Sequence, residues 1–153
     1  MKTISSDSLA SVFAFALIEV VSKISGFSFD ILPEVEDSLF CDTVAFMSLG
    51  GNKGGVVFIT ADDASIRVLH SFVVGGAVDE VTKADTQDLL SEILNMAAGN
   101  AKLHLNDTEF MFNLSSPIVL SGDNMVVSVK KRVNMHSRVL AHGDIFLKLL
   151  VVV

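Results

Sequence analysis

The sequence contains few of the residues that interrupt or crosslink a chain. Among its 153 residues there are two prolines, one cysteine, no tryptophan and no tyrosine. The single cysteine, Cys41, excludes an internal disulfide and suits a reducing compartment. Since no stretch is rich in proline, serine or charge, we expect no linker and one domain spanning residues 1–153.

Basic side chains are also scarce. There are 11 Lys and Arg against 18 Asp and Glu, which gives a formal net charge of −7. Such a chain repels a phosphate backbone, so we expect no nucleic-acid partner. Half of the residues are hydrophobic, which is ordinary for a globular protein. The four histidines show no metal-ligand spacing, and we predict neither a metal nor a cofactor in this chain.

An early apolar run, residues 9–18, lacks the features of a secretory signal. Asp7 lies where positive charge would be needed, Glu19 ends the run, and no small-residue cleavage site follows at once. The run is also too short to span a bilayer. We interpret it as part of an amphipathic or buried helix, about residues 7–25, in a cytoplasmic protein without a membrane partner.

Strand patterns occur on both sides of two further helices. The helices are expected at about residues 62–74 and 83–105. The strands are expected at residues 43–49, 56–60, 110–114, 118–120, 125–133 and 136–153. Hairpins and alternating strands predict an α+β fold, with a mainly antiparallel sheet and helices packed on one face. A helix followed by strands occurs twice, which suggests an internal pseudo-two-fold duplication.

The helix at 83–105 carries the main functional signal. At about 100° per residue, Asp88, Glu92, Asn95 and Gly99 form one straight stripe at steps of four, three and four. An apolar arc lies opposite, so the stripe is predicted to face solvent. Most polar stripes are only solvated faces. Here Asn95 and Gly99 are poor helix formers, which favours a function, and Gly99 leaves room for the backbone of a partner.

Asn100 departs from this pattern because it projects into the apolar arc. A buried amide without a hydrogen bond costs on the order of 1–3 kcal/mol. We therefore predict a structural role for Asn100, in which its side chain ties the helix to a neighbouring loop or strand.

The spacing Asp88-x-x-x-Glu92-x-x-Asn95 is similar to the phosphatase motif of the CheC/CheX family of bacterial chemotaxis proteins. That motif is Asp or Ser, three residues, Glu, two residues and Asn, with a proline some two dozen residues on. Pro117 stands about where that proline belongs, and the resemblance implies a structural role for it. Residues 92–102 look most like the CheX branch, and the resemblance extends over most of the chain.

The resemblance implies a phosphatase that acts on the aspartyl phosphate of a CheY-type response regulator, which would carry its own magnesium. Asn95 would place the attacking water in line with phosphorus, and Glu92 would reach the regulator's active-site lysine. Asp88 and Gly99 would contact the partner. Such a division of labour suits phosphoryl transfer, which needs positioning and charge stabilisation rather than covalent work by the protein.

Two alternatives share the fold. One is a non-catalytic regulator-binding or adaptor domain in a two-component or flagellar assembly, and the other is a structural module. The presence of Asn95 favours the enzyme. The first helix offers Glu19-Val-Val-Ser22, with Ser where Asn would be, so one site per chain is expected. Members of the CheX branch form homodimers, and we expect a homodimer here.

Overall fold

Three α-helices and eight strands make up the described residues, 1–33, 38–130 and 134–153 of a computed structural model. The helices are α1 (Ser6–Ser25), α2 (Asp63–Val74) and α3 (Lys83–Leu105), with a short 3-10 helix at Val78–Glu80 before α3. The strands are β1 (Asp30–Leu32), β2 (Ser38–Ser48), β3 (Gly50–Gly51), β4 (Val56–Ala61), β5 (Phe112–Asn113), β6 (Ile118–Ser128), β7 (Met135–His142) and β8 (Ile145–Val152).

Six strands form one antiparallel sheet in the order β1-β7-β8-β4-β2-β6, while β3 and β5 pair separately. The helices pack on one face of this sheet, so the predicted α+β fold is confirmed. Along the chain, α1-β1-β2-β4 corresponds to α3-β6-β7-β8. Exchanging β1 with β6, β2 with β7 and β4 with β8 gives the same sheet order read from the other edge, as a pseudo-two-fold arrangement requires. This symmetry places the apolar β8 centrally, paired with β7 on one side and β4 on the other.

The early apolar run lies within α1. The hydroxyl of Ser5 accepts a hydrogen bond from the Ser8 N–H at 3.0 Å, and Gly26 ends the helix with a left-handed φ of 77°. The 20 residues of α1 are long and apolar enough to cross a membrane, a property that buried core helices share. Here the apolar side faces the core, through Leu9, Ala10, Phe13, Ala14, Ala16, Leu17, Val20 and Val21. The buried-helix interpretation is confirmed, and cytoplasmic localisation stays a prediction.

The strands β2 and β6, at one side of the sheet, are longer than predicted. β2 begins at Ser38 instead of residue 43. β6 continues through residues 121–123, a Ser-Gly-Asp segment whose composition is typical of a turn and which separates two predicted strands. A bulge between Cys41 and Thr43 makes this continuity possible. The Asp42 carboxylate accepts hydrogen bonds from the N–H groups of Asn124 at 3.0 Å and Asp63 at 2.7 Å, which lower the pKa of Asp42. Residues 34–37, and the end of the predicted strand at 131–133, lie outside the described residues.

The position of α3 determines where the candidate site faces. One side of α3 packs against α1 and across β2, β4 and β6. Its buried residues are Thr86, Leu89, Leu90, Ile93, Leu94, Ala97, Ala98, Ala101 and Leu105. Because this apolar arc is in the core, the opposite side of α3 is turned away from the sheet.

Candidate active site

A capping box begins the helix that carries the site. The N–H of Asp85 donates to the Thr82 hydroxyl at 3.1 Å, and the N–H of Thr82 donates to the Asp85 carboxylate at 2.9 Å. Hydrogen bonds from the Thr82 N–H, and then from the Thr82 side chain, to the Asp85 carboxylate lower the pKa of Asp85. The cap was not predicted from the sequence, although the predicted bounds of the helix, 83–105, agree with those observed.

Side chains connect the beginning of α3 to the edge strand β6, and the end of α3 to the turn that follows the helix. The Gln87 amide donates to the Ser121 hydroxyl at 2.9 Å, and the Lys83 ammonium lies 3.6 Å from the Asp123 carboxylate. At the other end of the helix, the Thr108 hydroxyl donates to the Leu105 carbonyl at 2.7 Å. The first turns of α3 are therefore tied to β6, and its last turn continues into a hydrogen-bonded turn at Thr108.

The predicted stripe is present on the outer face of α3. Asp88, Glu92 and Asn95 are exposed, and Gly99 is half-buried. The side chains of Asp88, Glu92 and Asn95 make no hydrogen bond or ion pair with residues 1–33, 38–130 or 134–153. Helix residues three or four apart have Cβ atoms about 5–6 Å from each other. Two carboxylates and one amide can thus contact the same partner molecule at once.

Nothing near Gly99 requires a glycine. Its backbone is helical, and an added Cβ would meet no atom within 4 Å. A glycine in the interior of a helix is less favourable than alanine by roughly 1 kcal/mol. The surface beside Asn95 is therefore flat and open, which suits the close approach of another backbone.

The prediction for Asn100 is wrong in two respects. The residue is half-buried instead of buried, and its side chain makes no hydrogen bond within the described part of the chain. It lines a groove of about 230 Å³ between α1 and α3. Asn100 lies one turn beyond Met96, which is also half-buried, and α1 does not close over either residue.

Pro117 lies away from the stripe. It is half-buried and directly precedes the first residue of β6. Proline is tolerated at the beginning of a strand and on an edge strand, because its missing N–H removes no ladder hydrogen bond there. This location is compatible with the predicted structural role, which stays a prediction.

The chemistry available on the stripe is that of an exposed amide, Asn95, that follows two carboxylates, Asp88 and Glu92. An amide can both donate to and accept from a water molecule, and a carboxylate can bind a cationic side chain. Among the described residues, no three His, Cys, Asp or Glu side chains are grouped so that they could hold a metal ion. The stripe therefore presents groups that orient or bind another molecule.

Comparisons with known proteins bear on both fold and family. No curated protein matches the sequence. One family, described as "Chemotaxis phosphatase CheX", matches residues 43–138, a range that contains the whole stripe.

Solved structures share the fold at low identity. A CheC-like superfamily protein from Shewanella sp. PV-4 has a TM-score of 0.85 and 20% identity, over 97% of this chain and 98% of that one. CheX from Vibrio vulnificus has a TM-score of 0.83 and 17% identity, over 95% and 98%. The CheX-CheY-BeF3-Mg complex from Borrelia burgdorferi has a TM-score of 0.74 and 17% identity, over 93% and 95%. At such identities the structures establish the fold alone.

Replacing Gly99 with Ala is expected to stabilise the free protein by about 0.5–1 kcal/mol, because the helical backbone accepts a Cβ and open space surrounds it. The free energy of unfolding in urea measures this change. Gly143→Ala is the matched control, since its Cβ also meets open space but its φ is +56°. That control should be destabilised. A loss of stability in Gly99→Ala would contradict the description of position 99.

Proposed function

The chain belongs to the CheX family of chemotaxis phosphatases, and from this premise we propose that it hydrolyses the aspartyl phosphate of a CheY-type response regulator. The observation that carries the proposal is the exposed pair Glu92 and Asn95, which lie three residues apart on α3, inside the matched range, and have no partner among the described residues. The fold shared with a CheX that was solved in complex with CheY supports a partner of this type.

Asn95 is proposed as the catalytic residue. Its carboxamide would accept a hydrogen bond from the attacking water and hold it in line with the phosphorus atom. Phosphoryl transfer is accelerated chiefly by positioning and charge stabilisation, and a neutral amide supplies positioning without acting as a base. No change in the protonation of Asn95 is needed at any step.

Glu92 is proposed to fix the docked geometry through the active-site lysine of the regulator. The ion pair would gain strength as docking removes water from between the two chains. Asp88 would add a second contact one turn away, and the flat surface at Gly99 would let the regulator's backbone approach. In this proposal magnesium belongs to the regulator, where it neutralises charge on the phosphoryl oxygens.

Replacing Asn95 with Ala is expected to reduce the catalysed loss of phosphate by about 10²–10³-fold, which is typical of removing one preorganised polar group. Binding of the regulator should change little, because the other stripe residues remain. The measurement is the decay of phosphorylated regulator with magnesium present, followed with and without the protein.

Asn106→Ala is the matched control, because Asn106 is an exposed amide at the end of the same helix. It should retain the wild-type rate. Full activity in Asn95→Ala would show that the role is wrongly assigned. If the wild-type protein binds the regulator but leaves its dephosphorylation unchanged, the non-catalytic adaptor is the correct function.

Replacing Glu92 with Ala is expected to weaken docking as well as rate. Loss of a charge-assisted contact should raise KM and the Kd for the regulator by about tenfold or more. Titration with regulator carrying magnesium and beryllofluoride measures Kd without turnover. Glu80→Ala, at an exposed carboxylate before α3, is the matched control and should keep the wild-type Kd. An unchanged Kd in Glu92→Ala would remove its docking role.

We also propose that two copies associate through the edge strand β6, which in the described part of the chain pairs only with β2. Its side chains Ile118, Leu120 and Val126 are 55%, 51% and 54% exposed. Unpaired backbone beside apolar side chains is a ready surface for strand pairing.

Leu120→Lys should shift the protein from dimer to monomer in analytical ultracentrifugation, because it places a charge on this surface. Leu103→Lys, at an exposed leucine on α3, is the matched control and should leave the dimer intact. If Leu120→Lys and wild type sediment with the same molecular mass, β6 is not the dimer surface.

A further inference from the structure

The groove between α1 and α3 adjoins the proposed catalytic stripe. α3 contributes Met96 and Asn100 to one wall of the groove, which we call the α3 wall. Met96 directly follows Asn95, and Asn100 directly follows Gly99, so both residues of this wall are next to stripe residues in the sequence. The groove has a volume of about 230 Å³ and is lined by Glu19, Val20, Lys23, Ile24, Met96 and Asn100. The groove therefore begins at the residues that follow Asn95 and Gly99 in α3, on the side of α3 that faces α1.

Asn100 is the polar group of the α3 wall that is partly sheltered and unpartnered. Its amide makes no hydrogen bond with the described residues, although it is half-buried between two helices. A carboxamide offers two donors and one acceptor, which match the carbonyl and N–H of a peptide group. Water still reaches the Asn100 amide in the free protein, so a docked peptide group can displace that water and take over its hydrogen bonds.

The remaining walls are apolar, and the rim is charged. Val20, Ile24 and Met96 supply aliphatic surface, and the unbranched thioether of Met96 adapts to different shapes. Glu19 and Lys23 are exposed on the rim, and neither is ion-paired with a residue that the structure describes. The groove can therefore hold one apolar side chain, while Glu19 and Lys23 interact with charged groups on either side of that side chain.

Size separates the occupants that the groove could take. Small-molecule sites measure roughly 300–1,000 Å³, so this groove is small for a metabolite but large enough for a side chain. A stable protein interface needs about 800 Å² and 20–30 residues from each partner. The stripe supplies four residues, so a protein docked on Asn95 must extend beyond the stripe, and the α1 groove is contiguous with it.

We propose that this groove determines which regulator is accepted: a loop of the docked receiver domain places an apolar side chain between α1 and α3, and its peptide group pairs with the Asn100 amide. The inference rests on the proposed phosphatase function and deepens it. Asn95 acts on the phosphoryl group, whereas Asn100, Glu19 and Lys23 contact surface that differs between receiver domains. They are binding residues, and they should affect affinity without affecting the chemical step.

The test uses the CheY-type receiver domains encoded in the source genome, each phosphorylated for turnover and each loaded with magnesium and beryllofluoride for binding. For a receiver that the wild type dephosphorylates, Asn100→Ala should raise KM and Kd by about tenfold, with kcat within about twofold. Asn100→Gln keeps the amide and should recover part of the loss. Lys23→Glu should change the ratio of Kd values between receivers.

Matched controls separate binding from folding. Asn134→Ala removes an exposed amide directly before β7 and should leave KM, kcat and Kd unchanged. Unfolding free energies of wild type and Asn134→Ala should agree within about 0.5 kcal/mol, the usual range for surface substitutions. Asn100→Ala should be no less stable than wild type, because alanine is the better helix former. A loss of kcat together with stability in Asn100→Ala would mean a structural role and would overturn the proposal.

The remaining outcomes distinguish the groove from the catalytic proposal. If the wild type accelerates hydrolysis and Asn95→Ala does not, but Asn100→Ala keeps the wild-type KM and Kd, only the groove proposal fails. If no receiver is bound or dephosphorylated by the wild type, the proposed function fails, and the groove proposal fails with it. If Asn100→Ala changes the dimer dissociation constant instead of receiver affinity, a second copy of this chain is the occupant.

Discussion

Burial of one arc of α3 is the constraint on which the candidate site depends. Leu90, Ile93 and Leu94 are fully buried against the sheet and α1, and they set the rotation of the helix about its axis. A rotation by one residue, about 100°, would carry ionised carboxylates toward the core and apolar side chains toward water. Both changes are costly, since an unpaired buried charge loses its hydration. The outward direction of Glu92 and Asn95 is thus a consequence of packing on the opposite side of the helix.

Features that depend on neighbours along the chain were predictable, and those that depend on distant contacts were not. The bounds of α3 and the exposed stripe follow from a 3.6-residue period, which is visible in the sequence. The long pairing of β2 with β6 instead depends on Asp42, whose carboxylate accepts from backbone groups on β6 and at the start of α2. No local pattern reveals those hydrogen bonds, so the glycine-containing segment 121–123 resembled a turn.

Two residues show where capping patterns and periodicity lose their power. By spacing, Thr60 to Asp63 resembles a capping box for α2, but the cap is Asp62, whose carboxylate accepts from the Ser65 N–H at 2.7 Å, while Thr60 is buried in β4. Several residues near a helix start can cap it, and sheet pairing decides among them. For Asn100, the helical phase gave its direction from the axis but not the distance to α1. Whether a boundary residue is buried depends on how closely the neighbouring helix approaches.

The location of the proposed catalytic amide on a helix has an energetic consequence. Ordering the backbone of one loop residue costs roughly 1–2 kcal/mol, and a loop-borne amide would incur that cost when the regulator docks. On α3 the backbone around Asn95 is ordered during folding, by the core arc and by the Thr82–Asp85 capping box. In the proposed mechanism only the side chain of Asn95 would remain to be ordered on docking, which would leave more of the interaction energy for holding the water. The buried residues of α3 would then contribute to the proposed chemical step, because they keep the backbone of Asn95 in place before a partner arrives.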